Sequence, residues 1–277
     1  MILKLDWFIC SLLLTAGVYT QDITVHVINQ AKGGTHLLRK CFGLMTERLR
    51  LQDPSARIRV RTGHPFLNLG VPPACRLNVY GGAEKKSYYM IIKRDPRDSL
   101  ISWMYWIDKN FHENNVAYVA PIQSPNALKY MGNLKEKWIS LTQVEKMEVL
   151  LEGQWPAPFN WYSQDTKMMS FFLRNLKKPL DAFVCDFETL VGKEGNARVS
   201  DEIQIDLIRR MAKHCEIPLA EDDLKYVRDE LFGGSYTFRK GQVGQWKDYF
   251  NEHLENVYEK NYAPYDVEMR WDDGGGD

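Results

Sequence analysis

The stretch Ile23-Thr24-Val25-His26-Val27-Ile28-Asn29-Gln30-Ala31-Lys32-Gly33-Gly34-Thr35-His36-Leu37-Leu38 decides the fold class. Its first six residues alternate around β-branched side chains and read as a strand. From Leu37 to Met45 the apolar spacing reads as a helix. Between them, Gly33 and Gly34 let the backbone approach a ligand and leave N–H groups free at a helix start, where the helix dipole favours an anion. Lys32 adds a point charge and Thr35 a hydroxyl. No Gly-Lys-Ser/Thr follows four residues after a glycine, so the Walker pattern fails and an ordinary ATPase loop is excluded. The competing reading is a plain glycine turn carrying one solvated lysine.

Working outward, Ile58–Arg61 reads as a second strand, followed by the loop Thr62-Gly63-His64-Pro65-Phe66. Ser87–Lys93 is an apolar run suited to the interior of a parallel sheet. It stops at Arg94-Asp95-Pro96-Arg97-Asp98, where Asp95 fits a helix cap and Pro96 the first helical position; that helix is expected to run through Trp106. Lys109 to Asn133 reads as loop. Thr142-Gln143-Val144-Glu145 has the form of a capping box. Helices are expected at Ser163–Asn175, Asp201–His214, Glu221–Leu231 and Trp246–Tyr258, and a short strand at Phe183–Asp186. Strands alternating with helices predict a single α/β domain, mainly parallel, with a phosphate-binding loop after the first strand.

With 277 residues, 44% of them hydrophobic, the chain has enough apolar surface for one large core. Its formal net charge is zero, so no global field draws in nucleic acid, and any polyanion site must be a local cluster. Cys10, Cys41, Cys75, Cys185 and Cys215 are too scattered for a metal site and read as small buried apolar residues, with disulfides open in an oxidising compartment. Residues 1–20 resemble a secretory signal: Lys4 early, an apolar run from Trp7 to Val18, then small residues. The run is short for a stable membrane span. The expected organisation is a signal at 1–20, a domain at 21–265 and a flexible tail at 266–277, with a lumenal location, or a cytoplasmic one if the N-terminus is retained.

Three separated cationic elements, at Lys32, Arg94 and Arg239-Lys240, suggest a ligand with more than one anionic group. In this order they resemble a known family. Lys32-Gly33-Gly34-Thr35 is similar to the 5′-phosphosulfate loop of sulfotransferases that use 3′-phosphoadenosine 5′-phosphosulfate (PAPS), usually Pro-Lys-Ser-Gly-Thr-Thr. Arg94-Asp95-Pro96-Arg97-Asp98 with Ser102 resembles their 3′-phosphate motif. Phe238-Arg239-Lys240-Gly241, followed by Gly244 and Trp246, resembles their C-terminal Arg-Lys-Gly element, and Phe187-Glu188 their Tyr-Glu segment. Ala31, Gly33 and His36 depart from the pattern; two hydroxyl donors are lost, while the backbone N–H cradle is kept.

The resemblance implies sulfuryl transfer from PAPS to a hydroxyl or amine on a small-molecule, carbohydrate or peptide acceptor, with no metal. It implies that Lys32 stabilises the leaving oxygen, that Gly33, Gly34 and Thr35 hold the 5′ end with His36 beside them, and that Arg94, Ser102, Arg239, Lys240 and Gly241 hold the 3′-phosphate. His64 occupies the place of the family's catalytic base; the alternative is a loop histidine capping a carbonyl. One of Trp103 and Trp106 is a candidate to stack on adenine. An inactive nucleotide-binding module and a small-molecule kinase are the rival readings.

Overall fold

Strand β1 (Asp22–Asn29) lies at the centre of a four-stranded sheet. The chain leaves it through a turn into helix α1 (Thr35–Gln52), returns as β2 (Arg57–Gly63) on one side of β1, and crosses to β3 (Lys86–Lys93) on the other. The sheet is completed by β4 (Phe183–Asp186) beside β3, and its order is β2-β1-β3-β4. All three pairings are parallel. This is the α/β fold with a parallel sheet that the alternation of strands and helices predicts. The computed structural model describes residues 22–30, 32–63, 86–115, 125–153, 155, 159, 161–175, 177–234, 241–266 and 269. The expected signal at 1–20, His64, Arg239 and Lys240 lie outside them.

Period-two alternation divides the strand side chains between two faces. Ile23, Val25, Val27, Met90 and Ile92 pack with Leu38, Phe42 and Met45 of α1 and with helices α7 (Asp201–His214) and α8 (Glu221–Leu231). Ile28 and Ile91 point the other way, onto Met169, Phe172 and Leu173 of α5 (Trp161–Asn175). Beside the sheet, α2 (Pro96–His112), α4 (Gln143–Glu152) and α9 (Glu252–Asp266) form a second, wholly helical cluster around Trp138, Phe111 and Tyr258. Both layers meet at the start of α2.

Local signals hold where they are strong. The Asp95 side chain accepts from the Arg97 N–H and Pro96 opens α2. Thr142 and Glu145 make a reciprocal capping box. Helices α7 and α8 have the expected bounds. Cys41, Cys185 and Cys215 are buried free thiols.

Two expectations change. The region read as loop from Lys109 contains the last turn of α2 and, after an undescribed stretch, helix α3 (Pro125–Ser140). Leu134 and Trp138, one turn apart, bury into the helical cluster and supply what local propensity did not. The final helix does not run from Trp246 to Tyr258. A 3-10 turn (Gln245–Asp248) ends at Tyr249, and α9 starts after Asn251, whose side chain accepts from the Leu254 N–H. Asp266, the last residue of α9, and Met269 are buried. Among the described residues, no helix is long and apolar enough to cross a membrane.

Candidate functional site

In a doubly wound sheet, ligands sit at the carboxyl ends of strands where the connections diverge to opposite sides. The order β2-β1-β3-β4 puts that point between β1 and β3. The two loops there are Gln30–Gly34 and Arg94-Asp95, two of the elements singled out from sequence.

The first loop is a tight turn closed by the Gly33 N–H on the Gln30 carbonyl at 2.9 Å. Lys32 takes a left-handed backbone conformation, φ 63°, and Gly34 follows at φ 106°. Gly34 must be glycine for a second reason: a Cβ there would lie 2.5 Å from the Phe187 ring and 2.9 Å from Ile92. Helix α1 begins immediately, with no side-chain cap and no acidic residue in its first turn. The N–H groups of its first turn are therefore left for water or an anion.

Arg94 crosses to this loop. Its Nη1 donates to the Lys32 carbonyl at 2.8 Å, and its guanidinium lies 4.2 Å from the centre of the Phe187 ring. Gln30 adds a second tie, its side-chain amide donating to Ser99 of α2. The Lys32 ammonium lies 4.9 Å from the centre of the Trp106 ring, also on α2. Ser99, Ser102 and Trp106 fall on one helical face at three- and four-residue spacing, so the half-buried Ser102 sits between two residues that touch the glycine loop. Trp103 stacks on Trp106 with centroids 4.8 Å apart. Trp103 is itself buried; the indole left facing Lys32 is that of Trp106.

The site is electrostatically uncomfortable by itself. Burial, then Arg94 and Lys109, push the Lys32 ammonium down to about 7. Burial, then Lys32 and Arg39, hold His36 below the usual imidazole range. Cations crowded in a part-buried crevice are stabilised by an anion that replaces their lost hydration.

Carboxylates brace the back of the crevice. Asp95 takes two hydrogen bonds from Arg97, at 2.7 and 3.0 Å. The Asp98 oxygens accept from the N–H groups of Gly244 and Trp246, which carry the far C-terminal segment against α2. Glu188, in the short helix α6 (Phe187–Leu190) after β4, is fully buried; its Oε1 accepts from the Asp95 N–H at 2.7 Å, and burial pushes its carboxyl up to about 8.

Of the sequence-predicted site, the structure brings together Lys32, Gly33, Gly34, Thr35, Arg94 and the helix face bearing Ser102. His36 is on the exposed side of α1. Gly241 packs against the turn at Gly195. His64, Arg239 and Lys240 lie outside the described residues, although the register sets Gly63 beside Ile28, so the chain leaves β2 at the same end of the sheet as the glycine loop. Gln30, Asp98 and Ser99 are not among the groups the sequence marks as ligands; Trp106, one of its two candidates to stack on adenine, faces Lys32. Their roles depend on contacts between segments about 70 or more residues apart, except that Asp98 could have been noticed as a second acid in a first helical turn. Among the described residues, no cluster of three or more His, Cys, Asp or Glu could hold a metal ion.

Glu188 gives this bracing a testable signature. Its folded-state pKa lies above the ordinary glutamate value, so the folded protein binds the extra proton. Its contribution is complete below about pH 4.5 and is lost as pH rises through about 8. Glu188→Gln, which mimics the protonated acid, is expected to change stability at pH 5 by less than about 1 kcal/mol. It should also flatten the decline in melting temperature between pH 5 and 8; an unchanged pH profile would remove the buried acid as its source. Neither a family model nor a curated protein matches the sequence.

Proposed function

We propose that this chain is a sulfotransferase that moves a sulfuryl group from PAPS to a hydroxyl or amine of an acceptor. The observation that carries the reading is the carboxyl end of β1 and β3, where a glycine turn with an uncapped helix start faces Arg94, and where burial, then its cationic neighbours, destabilise the Lys32 ammonium. Those features suit the two anionic ends of such a donor better than a neutral ligand.

When bound, PAPS supplies an activated sulfuryl group; the protein's task is to bind, orient and neutralise. Lys32, with the N–H groups of Gly34, Thr35 and His36, faces the 5′ end, and Lys32 balances negative charge growing on the leaving oxygen. Arg94 and Ser102 take the 3′-phosphate together with the segment Arg239-Lys240-Gly241. Phe187 holds the Arg94 guanidinium in place by contact with its face. His64 accepts the acceptor's proton as its oxygen or nitrogen bonds to sulfur. The missing hydroxyls at Gly33 and His36 favour one rival, a module that binds the nucleotide without turning it over. A cleaved signal at residues 1–20 would put the chain in a lumenal compartment fed by a nucleotide carrier, and mass spectrometry should then find a mature N-terminus close after residue 20; a retained N-terminus would favour the cytoplasm.

Adenosine 3′,5′-bisphosphate should raise the melting temperature more than ATP or NAD does, and a response to magnesium-ATP alone would favour the kinase. Arg94→Ala should weaken bisphosphate binding by about 1.5–3 kcal/mol, the range for a charged hydrogen bond. Lys32→Ala should cut the transfer rate steeply. His64→Ala should abolish transfer and keep nucleotide affinity; full transfer by that variant would remove the base assignment. Binding with no transfer to any acceptor would mark the inactive module.

Titration of Lys32 adds a pH test. An anion binds the ammonium form and raises its pKa from about 7, so binding takes up a proton. The Lys32 contribution to affinity should be flat below pH 7, fall as pH rises above it, and level off beyond the pKa of the bound state. Calorimetry in buffers of different ionisation enthalpy at pH 8 should detect that proton, and Lys32→Met should abolish the uptake.

A further inference from the structure

We propose that Asp98 is a positioning residue that gives the donor site its selectivity for a 3′-phosphate, by fastening the Gly241–Trp246 segment to the start of α2; this rests on the sulfotransferase reading above. A carboxylate in a first helical turn ordinarily faces the N–H groups of its own helix. Asp98 instead spends both oxygens on a distant segment, Oδ2 accepting from Gly244 at 2.7 Å and Oδ1 from Trp246 at 3.0 Å. Its side chain is almost wholly buried, and such a group is retained only where its hydrogen bonds are met.

Two further contacts close the clamp. The Arg97 guanidinium, held by Asp95, lies 3.6 Å from the centre of the Trp246 ring. On the opposite side the Val243 N–H donates to the Gly195 carbonyl at 2.9 Å. A Cβ at Gly195 would stand 2.1 Å from the Gly241 oxygen, so that glycine lets the segment close. The segment that begins at Gly241 is thereby held between the Gly195 turn and Asp98 of α2. The 5′ end of the donor needs none of these contacts, because the glycine loop after β1 serves it.

Asp98 also faces Arg94 and offsets part of its charge. Charge alone therefore predicts that removing the carboxylate strengthens binding of any anion; positioning predicts a selective loss. The two ideas have opposite signs.

The test compares affinities for adenosine 3′,5′-bisphosphate and adenosine 5′-monophosphate in the full chain, wild type, Asp98→Asn and Gly195→Ala. The second variant presses on the same segment from the other side, and on Val191 beneath it, without altering a proposed nucleotide contact; it carries the test if Asp98→Asn does not fold. Both variants are expected to lose roughly tenfold or more in bisphosphate affinity, the scale of a charged hydrogen bond, with monophosphate affinity unchanged. In turnover, the donor KM rises while kcat at saturation stays within about twofold, since no group that stabilises the transition state is removed. Asp98→Glu should restore part of the selectivity. If the wild type does not prefer the bisphosphate, the sulfotransferase reading itself fails. A wild-type preference that both variants keep overturns the Asp98 role alone. Equal losses for both nucleotides, or tighter binding of both, overturn it as well.

Discussion

A hydrogen bond from the Arg94 guanidinium to the Lys32 carbonyl joins the loops that follow β1 and β3. It works only because the backbone beneath it is shaped to receive it. Lys32 and Gly34 turn through left-handed conformations, and the space a side chain on Gly34 would occupy is filled by Phe187. The same ring supports Arg94 from below. Loop, arginine and aromatic ring therefore form one unit at the point where the sheet's connections part.

Around that unit the protein balances charge by placement. Lys32, Arg94 and Lys109 repel one another at the front of the crevice. Asp95, Asp98 and Glu188 lie behind it, and all three accept backbone N–H groups. The acids fix the backbone that carries the cations, so the front stays positive. Rigid, poorly hydrated positive charge suits an anion better than flexible surface lysines do, because no ordering cost falls on the moment of binding.

The helical cluster contributes through α2. One end of this helix presents Asp95, Asp98 and Ser99 to three other segments, and its next turns present Trp106 to Lys32. Its far side is buried through Leu100, Met104, Ile107 and Phe111. Packing on that side fixes the rotation of the helix, and hence which residues reach the glycine loop. The segment before α9 is tied to the same helix end: Gly244 and Trp246 give their N–H groups to Asp98, and Trp246 packs under Arg97.

The sequence by itself determined what depends on neighbours along the chain. Strand alternation, the glycine turn, the Asp95-Pro96 helix start and the Thr142 capping box involve partners within a few residues, and each formed as read. The cationic elements could be named because charge is a property of the side chain itself. Tertiary structure decided the rest. Burial of Leu134 and Trp138 made a helix where composition suggested a loop, and the Asn251 cap set the start of a helix expected from Trp246. Gln30 with Ser99 and Lys32 with Trp106 became partners across 69 and 74 positions of chain. Such pairings follow from how sheet and helices pack, because hydrophobic burial is non-directional and says which residues go inside, not which of them meet.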